Sequence, residues 1–390
     1  MKVAGIICEC NPFHKGHAYL IESAKAAGAE LVICLLSGYF TERAEPAIFD
    51  PYIRAKTMLC GGADLILEFP FPLCASGAEC FGFSGIEILS KLGIDELWFG
   101  SESGDLERLK KLAKAADDPA FLAAYKESVK GEDGSAKAYF DLLQKFAKEK
   151  GEILPNDALG IQYLRAIDRL QKKIAPRILL RRGSGHDEEG LSEYSSASAL
   201  RGEIESGRLS LLESHLPAGS LPILKDAIAQ DRAPATLETA ERAILWRLHS
   251  MKKEELTSLP ELSGGLGERI LQAAKKAASL DELLTLAATK KYPIARIRRG
   301  ILFAMTGVTK EDLRTSPSYL RLLGATDAGR KFLSSLRKSA PFQIVTKQKD
   351  LPSSTQEEEL EYAALSLYGL CLPKAKTPAF FLGLPPCVEK

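Results

Sequence analysis

The first 24 residues change from one hydrophobic pattern to another, and this change constrains the fold more than any other feature of the chain. Val3 to Ile7 form an uninterrupted apolar run, as in a strand that is covered on both faces. Asn11-Pro12 ends the run and predicts a turn. Beyond Gly16 the apolar residues have the spacing of one helix face, and they are Ala18, Leu20, Ile21 and Ala24. The segment therefore predicts a buried strand, a loop and a helix.

The same alternation continues through the first hundred residues. Apolar runs predict strands at 31–36, 65–67 and 96–99. Helical spacing predicts helices at 15–27, 51–60 and 76–92. Strands that alternate with helices indicate a parallel sheet with helices on both faces, and a later run at 178–180 is expected to return to it. The predicted fold class is α/β, with a Rossmann-like parallel sheet domain over residues 1–210.

Residues 211–390 are predicted to form a mainly α-helical, partly basic region, because no clear strand alternation follows residue 215. Between Lys290 and Asp350, fourteen Lys or Arg residues stand against four Asp or Glu. The densest cluster surrounds Tyr292 and contains Lys290, Lys291, Arg296, Arg298 and Arg299. Composition fits a solvated helix face and an RNA-backbone surface equally well. In the second case we expect Tyr292 to stack on a base or sugar.

Composition and charge exclude several classes of protein. The chain has 390 residues, 45% of them hydrophobic, and a formal net charge of +1, as in a globular protein of two or three domains. Nucleic-acid binding would therefore need local clusters of charge. No apolar run has the length of a membrane span, and no signal peptide is predicted. The 8 cysteines form no CxxC pair, which favours a reducing cytoplasm. We expect neither a membrane nor a DNA partner.

Two of the 5 histidines lie in the turn that follows the first predicted strand. His14 and His17 are three residues apart, so they can share one side of the first helical turn. Free backbone N–H groups at a helix start favour phosphate, and imidazoles can donate hydrogen bonds to its oxygens. Two alternatives stay open, since the histidines could be ordinary loop residues or half of a metal site. The HExxH spacing of many zinc sites is absent.

A second candidate phosphate site follows the return strand. Hydroxyl groups of Ser195, Ser196 and Ser198 lie at a predicted helix start, with Arg201 in the next turn. Hydroxyls at a helix N-terminus and a nearby guanidinium form a favourable environment for an anion. Arg181 directly follows the strand at 178–180, and Asn156 is predicted to cap another helix.

The motifs HKGH at 14–17 and SSASALR at 195–201 resemble those of the HxGH nucleotidyltransferase superfamily. A narrower resemblance, to the bacterial tRNA(Met) cytidine acetate ligase family, covers nearly the whole chain. Its blocks are GIICECNPFHKGHAYLI, TERAEPAIFDPYIRAKTMLCGGADLILEFP, LWFGSE, PNDALGIQYLRAI, SSASALR and KKYPIARIRRGIL. The order and number of these blocks make chance similarity a poor explanation.

This resemblance implies an enzyme that activates acetate with ATP and acetylates the wobble cytidine of elongator tRNA(Met). The products would be N4-acetylcytidine, AMP and pyrophosphate. ATP is the implied cofactor, and Mg²⁺ is expected with unknown ligands. Asp64 and Glu68 are candidate ligands, although Asp64 equally suits a turn cap.

The resemblance also assigns roles to residues. It implies catalytic roles for His14, His17, Ser198 and Arg201. The implied ATP contacts are Ile7, Cys8, Glu9, Cys10, Asn11, Pro12, Phe13, His14, Lys15, Gly16, His17, Ala18, Tyr19, Leu20, Gly100, Asn156 and Arg181. The implied tRNA contacts are Lys290, Lys291, Arg296, Arg298 and Arg299. Two residues depart from the family pattern, because Cys10 replaces the usual Tyr and Glu42 replaces the usual Gln.

Two other functions remain compatible with the sequence. One is an adenylyltransferase that acts on a small metabolite, which would leave the basic helical region without a role. The other is a non-catalytic RNA-binding module that keeps a nucleotide pocket. Pyrophosphate exchange into ATP that depends on acetate would distinguish these three functions.

Overall fold

The sheet is the centre of the molecule in the computed structural model, which describes residues 1–128, 136–181, 196–336, 342–351 and 355–388. Its strands are β1 (Val3–Cys8), β2 (Leu31–Ser37), β3 (Leu65–Phe69), β4 (Glu96–Ser101), β5 (Ala175–Leu180), β6 (Tyr319–Ala325), β7 (Gln343–Val345) and β8 (Cys387–Val388). They follow the order β5-β4-β1-β2-β3-β6-β7, and β8 also pairs with β6.

Seventeen α-helices surround this sheet in the described ranges. In the first half they are α1 (Lys15–Ala26), α2 (Pro51–Cys60), α3 (Ala78–Lys91), α4 (Leu106–Ala116), α5 (Pro119–Ser128), α6 (Ala136–Ala147), α7 (Pro155–Arg169) and α8 (Ala197–Glu205). In the second half they are α9 (Ser220–Ala229), α10 (Glu241–Ser250), α11 (Lys253–Ser258), α12 (Leu266–Ala274), α13 (Leu280–Ala287), α14 (Ile294–Thr306), α15 (Asp327–Leu336), α16 (Gln356–Leu370) and α17 (Pro378–Leu382).

The first five strands are parallel, as the alternation of strand and helix predicted. All seven residues of β2 are buried, because helices cover both faces of the sheet. β1 lies between β4 and β2, with Val3 opposite Leu31 and Gly5 opposite Leu97. The loop after β1 is therefore in the middle of the carboxyl-end edge, where ligands bind in sheets of this type. The α/β fold class with a helical region is confirmed.

Residues 211–390 are mainly helical, as predicted, but their described part also contains β6, β7 and β8, which the sequence pattern did not show. β6 pairs antiparallel with β3, with Leu65 opposite Ala325, and β7 and β8 both pair parallel with β6. All seven residues of β6 are buried, although Arg321 interrupts its apolar run. Nη2 of Arg321 lies 2.6 Å from Oε1 of Glu361, and this pairing makes the buried charge tolerable. The chain beyond residue 210 thus shares the sheet with the part before it, and the boundary at 210 stays a prediction.

The helical region also packs against the loop that follows β2. The Tyr368 hydroxyl on α16 donates to the carbonyl of Ala47 at 2.9 Å, and the Tyr39 and Tyr368 ring centroids are 5.0 Å apart.

In the part of the chain that the structure describes, no helix is both long and apolar enough to span a bilayer.

Candidate nucleotide site

The two histidines form a reciprocal cap at the start of α1. Nδ1 of His14 accepts from the backbone N–H of Gly16 at 3.0 Å, and Nδ1 of His17 accepts from the N–H of His14 at 3.3 Å. The centroids of their rings are 3.9 Å apart. A Cβ atom at position 16 would lie 2.8 Å from the His14 ring, so glycine is needed there. The motif thus holds the two imidazoles together at the end of β1.

Both imidazoles are neutral donors near pH 7. Burial, followed by the charges of Arg181 and His215, lowers the pKa of His14 to about 4. Burial and the neighbouring His14 lower the pKa of His17 well below its usual range. Because Nδ1 of each ring accepts a hydrogen bond, the proton of the neutral ring is on Nε2. Two Nε2–H groups are thus available to oxygens of a bound phosphate.

The serine-rich motif comes into contact with this turn. Arg201 donates through Nη1 to the carbonyl of Asn11 at 2.9 Å and through Nη2 to Oγ of Ser198 at 3.1 Å. Ser196 is the N-cap of α8, and Ser195 lies outside the described residues. The structure therefore places Arg201 against the loop that precedes the histidine turn, and Arg201 in turn contacts Ser198. Arg201 also lies 3.9 Å from a carboxylate oxygen of Glu45.

Arg181 and Gly100 belong to the same side of the site. β4 and β5 pair in parallel, and the N–H of Arg181 donates to the carbonyl of Ser101 at 2.9 Å. A Cβ atom at Gly100 would lie 3.3 Å from Cγ of Arg181, so the arginine side chain passes directly over this glycine. Its charge contributes to the low pKa of both histidines. The structure therefore places a cation beside the histidine turn.

Asn156 does not cap a helix, contrary to the prediction. α7 begins at Pro155 and its N-cap is Leu154, because the fixed φ of proline suits the first helical position. The Asn156 amide instead donates to Oε1 of Glu102 at 2.5 Å. Since Glu102 follows β4, this contact still holds Asn156 at the carboxyl-end edge of the sheet.

The Glu9 carboxyl lies beside the histidine turn and is held there by the backbone of Glu42. The sequence pattern did not predict this contact. Oε1 of Glu9 accepts from the backbone N–H of Glu42 at 2.6 Å. Burial, with a further contribution from the charge of Glu42, raises the pKa of Glu9 to about 7. Burial also raises the pKa of Glu42, and Arg299 donates to its Oε1 at 3.1 Å. The departure from the family pattern at position 42 is thus compensated by an arginine.

Replacing Glu9 with Gln is expected to remove a pH dependence of stability. A carboxyl whose pKa is raised in the folded state contributes most stability below pH 4.5 and loses this contribution as the pH rises towards 7. Urea unfolding at several pH values should show wild type losing about 1–3 kcal/mol relative to the variant across this window. Parallel stability curves for the two proteins would contradict the raised pKa.

Arg54 connects the loops of the site and was also missed. Its side chain is 0% exposed and donates to the carbonyls of Glu9 at 2.5 Å, Ser37 at 2.8 Å and Phe49 at 2.9 Å. It also donates to the carbonyl of Gly38. An arginine in an ordinary helix pattern gives no signal for this role, because its partners are backbone atoms brought together only by the fold.

The two candidate Mg²⁺ ligands have structural partners instead. The Asp64 carboxylate accepts from the N–H of Val32 at 2.9 Å and from Nζ of Lys25 at 3.0 Å. Glu68 lies 3.5 Å from Nε of Arg321. Within the described ranges, no group of three or more His, Cys, Asp or Glu side chains is placed to hold a metal ion.

The residues of the basic cluster differ in their contacts. Arg298 donates to the Glu45 carboxylate, Arg299 to that of Glu42, and Arg296 to the carbonyl of Glu261 at 3.0 Å. Lys290 is exposed and Lys291 is half-buried. The three arginines thus hold the helical region against the loop after β2 and within itself.

Tyr292 is not available to stack on a base, contrary to the expectation for an RNA surface. It is 9% exposed, and its hydroxyl donates to the carbonyl of Gly264. The guanidinium carbon of Arg296 lies 5.5 Å from the centre of its ring. The aromatic residue inside the basic cluster is therefore part of the core.

Comparison with known proteins gives one consistent family. The model of the HIGH Nucleotidyl Transferase family matches residues 1–379. The tRNA(Met) cytidine acetate ligase of Acetivibrio thermocellus is 33% identical over 97% of this chain and 97% of its own length. The ligase of the same name from Clostridium perfringens is 31% identical over 99% of each chain.

Solved structures agree with this result. The crystal structure of Thermotoga maritima TmcAL bound with alpha-thio ATP has a TM-score of 0.88 and 27% identity, with 100% of both chains covered. The apo form of the same protein has a TM-score of 0.90 and 28% identity, covering 100% of this chain and 99% of its own. The chain described here therefore belongs to the tRNA(Met) cytidine acetate ligase family of HIGH nucleotidyltransferases.

Proposed function

We propose that this protein is an ATP-dependent ligase that activates acetate as acetyl-adenylate and acetylates the wobble cytidine of elongator tRNA(Met). The observation that carries the proposal is the paired histidine turn, with two neutral Nε2–H donors beside Arg181 and Arg201. Family membership over nearly the full length of the chain supports the acid and the acceptor. Cytoplasmic localisation, where tRNA is modified, is part of the same proposal.

In the first step a carboxylate oxygen of acetate attacks the α-phosphorus of ATP, and the bond to the bridging oxygen of pyrophosphate breaks. His14 and His17 would donate to phosphate oxygens as negative charge moves towards the leaving group. Arg181 and Arg201 would bind the departing phosphates. Neutral imidazoles suit this role because they donate without giving up a proton.

In the second step the exocyclic amine of cytidine attacks the acetyl carbonyl of the adenylate. The carbon–nitrogen bond forms, the bond to the AMP oxygen breaks, and the amine loses one proton. We expect Mg²⁺ to accompany ATP, with phosphate oxygens and water as its main ligands.

Acetate-dependent exchange of labelled pyrophosphate into ATP tests the first step without RNA. The proposed ligase should show exchange with acetate and acetylate tRNA(Met) when RNA is added. Exchange that requires another acid or a mononucleotide would favour the adenylyltransferase alternative. Nucleotide binding without any exchange would favour a non-catalytic module.

Replacing Arg181 with Ala is expected to weaken ATP binding by about 10–100-fold, because a hydrogen bond to a charged group is lost. Calorimetry without tRNA measures this effect. Arg177→Ala is the matched control, since Arg177 is on β5, the strand that Arg181 follows, and pairs with Glu96 at 2.9 Å. Unchanged ATP affinity in the Arg181 variant would show that this residue has no role in nucleotide binding. Arg201→Ala should behave like Arg181→Ala.

Replacing Lys290 and Lys291 together with Ala is expected to weaken tRNA binding without affecting folding. Each lost phosphate contact should lower the slope of log affinity against log salt by roughly 0.7–0.9. The comparison variant changes Arg296, Arg298 and Arg299 to Gln. It should lose about 1–3 kcal/mol of stability, because half-buried carboxylates lose their partners. An unchanged salt slope in the lysine variant would remove these two residues from the tRNA surface.

A further inference from the structure

A cleft at the carboxyl ends of β2 and β3 has no role in the steps derived above. It encloses about 490 Å³ of empty space, and this figure includes the part that is open to solvent. Its walls are aromatic and come from Tyr39, Phe40, Phe71 and Tyr319. Its polar side contains Glu68, Arg321 and Glu361. An aromatic cleft with a few polar groups on one side suits a planar ligand with a polar edge.

Glu68 is the unsatisfied group of this cleft. Its side chain is 6% exposed, and Oε2, which is buried 3.5 Å from Nε of Arg321, makes no hydrogen bond. Arg321 is already engaged by Glu361, through Nη2 at 2.6 Å and Nε at 3.1 Å from Oε1. Burial, with the charge of Glu361, raises the pKa of Glu68 to about 8, so this carboxyl keeps its proton at pH 7. A protonated carboxyl offers one donor and one acceptor side by side.

The charge of the cleft decides between possible ligands. Glu361 neutralises Arg321, Glu68 is uncharged, and Glu357 adds a carboxylate at the cleft. A phosphate or free acetate would therefore meet negative charge without an unpaired cation. A neutral base with an exocyclic amine suits this cleft, because it needs no unpaired cation. Its ring nitrogen accepts from the Glu68 hydroxyl, its amine donates to the Glu68 carbonyl, and its ring lies against aromatic side chains.

We propose that this cleft binds one unstacked nucleobase of the RNA substrate, an amino-bearing base that is held by Glu68 and stacks against Phe71. The inference rests on the proposed function, since it takes RNA as the acceptor. Gly100, near the end of β4, and Arg181, after β5, lie on one side of β1, whereas the cleft lies on the other side. Two strand spacings, about 10 Å, separate β3 from β1. The cleft is thus on the opposite side of β1 from Gly100 and Arg181.

The test compares Glu68→Leu, Glu68→Gln and Phe71→Ala by binding of an anticodon stem–loop RNA. Glu68→Leu should weaken binding by about 10–100-fold. Glu68→Gln should remain within about threefold of wild type, because an amide also offers a donor and an acceptor. Phe71→Ala should weaken binding by about 10–100-fold through loss of stacking, and Phe71→Tyr should restore it. All four variants should keep acetate-dependent pyrophosphate exchange, which needs no RNA.

Two kinds of altered stem–loop identify which base enters the cleft. One carries uridine in place of cytidine at the wobble position, and the other carries an amine-free base at a neighbouring position. Wild type should discriminate at one of these positions, and Glu68→Leu should lose this discrimination. Equal loss of binding in Glu68→Gln and Glu68→Leu would overturn the proposal, because Glu68 would then act as an anion towards Arg321.

A raised KM for acetate in the exchange reaction, with RNA binding unchanged, would make the cleft an acetate site and also overturn the proposal. If Glu68→Leu does not fold, RNA binding by Phe71→Ala and Phe71→Tyr tests the proposal instead, because Phe71 is only half-buried. Absence of exchange in wild type would count against the proposed function, while the RNA-binding measurements would still test the cleft.

Discussion

Replacing His17 with Ala is expected to lower acetate-dependent pyrophosphate exchange by about 10²–10³-fold, the effect of removing one donor to a transition-state oxyanion. His17 is neutral and donates only through Nε2, because its Nδ1 accepts from the N–H of His14. The change also removes half of the reciprocal cap of α1. Exchange kinetics on purified protein, together with a thermal unfolding curve, separate the loss of activity from the loss of the cap.

Two amide variants serve as controls for the atom responsible. The amide nitrogen of Gln can approach the position of Nε2, whereas that of Asn approaches the position of Nδ1. His17→Gln should therefore keep more exchange activity than His17→Asn. Nearly wild-type exchange in His17→Ala would exclude this residue from phosphate binding, and equal activities of the Gln and Asn variants would contradict the assignment of the Nε2 donor.

Arg54→Met is expected to lower the free energy of unfolding by about 3–5 kcal/mol, among the largest effects of a single substitution. The methionine fills much of the volume but leaves the carbonyls of Glu9, Ser37 and Phe49 without their donor. Buried carbonyls that lose a charged partner carry a full desolvation cost. Urea unfolding measures the change directly.

Lys56→Met is the matched control, because Lys56 is on the same helix but is exposed to solvent. We expect its effect to stay within about 0.5 kcal/mol. The ATP affinity of Arg54→Met should also fall, since Glu9 lies at the start of the phosphate loop. A small change in stability would show that water can replace the guanidinium at these carbonyls.

Local patterns were sufficient to predict the parallel half of the sheet and the histidine turn. Buried strands have uninterrupted apolar runs, and α1 and α2 begin at Lys15 and Pro51, the residues where helical spacing begins in the sequence. The chemistry of the turn was also visible, because both histidines lie within three residues of each other. Each of these features depends on neighbours along the chain.

The features that were missed depend on distant partners. β6 contains Arg321, and the carboxylate of Glu361 makes its burial possible. Tyr292 has its hydroxyl partner 28 residues away in sequence. Arg298 and Arg299 find their carboxylates 253 and 257 residues away. No local pattern distinguishes such residues from solvent-exposed ones, so the sequence did not show that Tyr292 is buried or that Arg298 and Arg299 have carboxylate partners.

The prediction that Asn156 caps a helix was wrong for a different reason. Asn is a favoured cap, but Pro155 is better suited to the first helical position, so the cap is Leu154, two residues before Asn156. Glu42 is the opposite case, because the sequence showed the unusual residue but not the residue that pairs with it. The family pattern identified the departure, and only the fold identified Arg299 as its partner.

The antiparallel strand β6 has a consequence for how this enzyme can be divided. β6 covers the edge of β3, which spans Leu65–Phe69, so a chain shortened to residues 1–210 would leave that edge open. An open, apolar strand edge is a template for association with other chains. Such a fragment would also lack Arg298 and Arg299, which pair with Glu45 and Glu42. Residues 1–210 therefore do not cover this strand edge by themselves, and synthesis must reach Ala325 before the edge of β3 is paired.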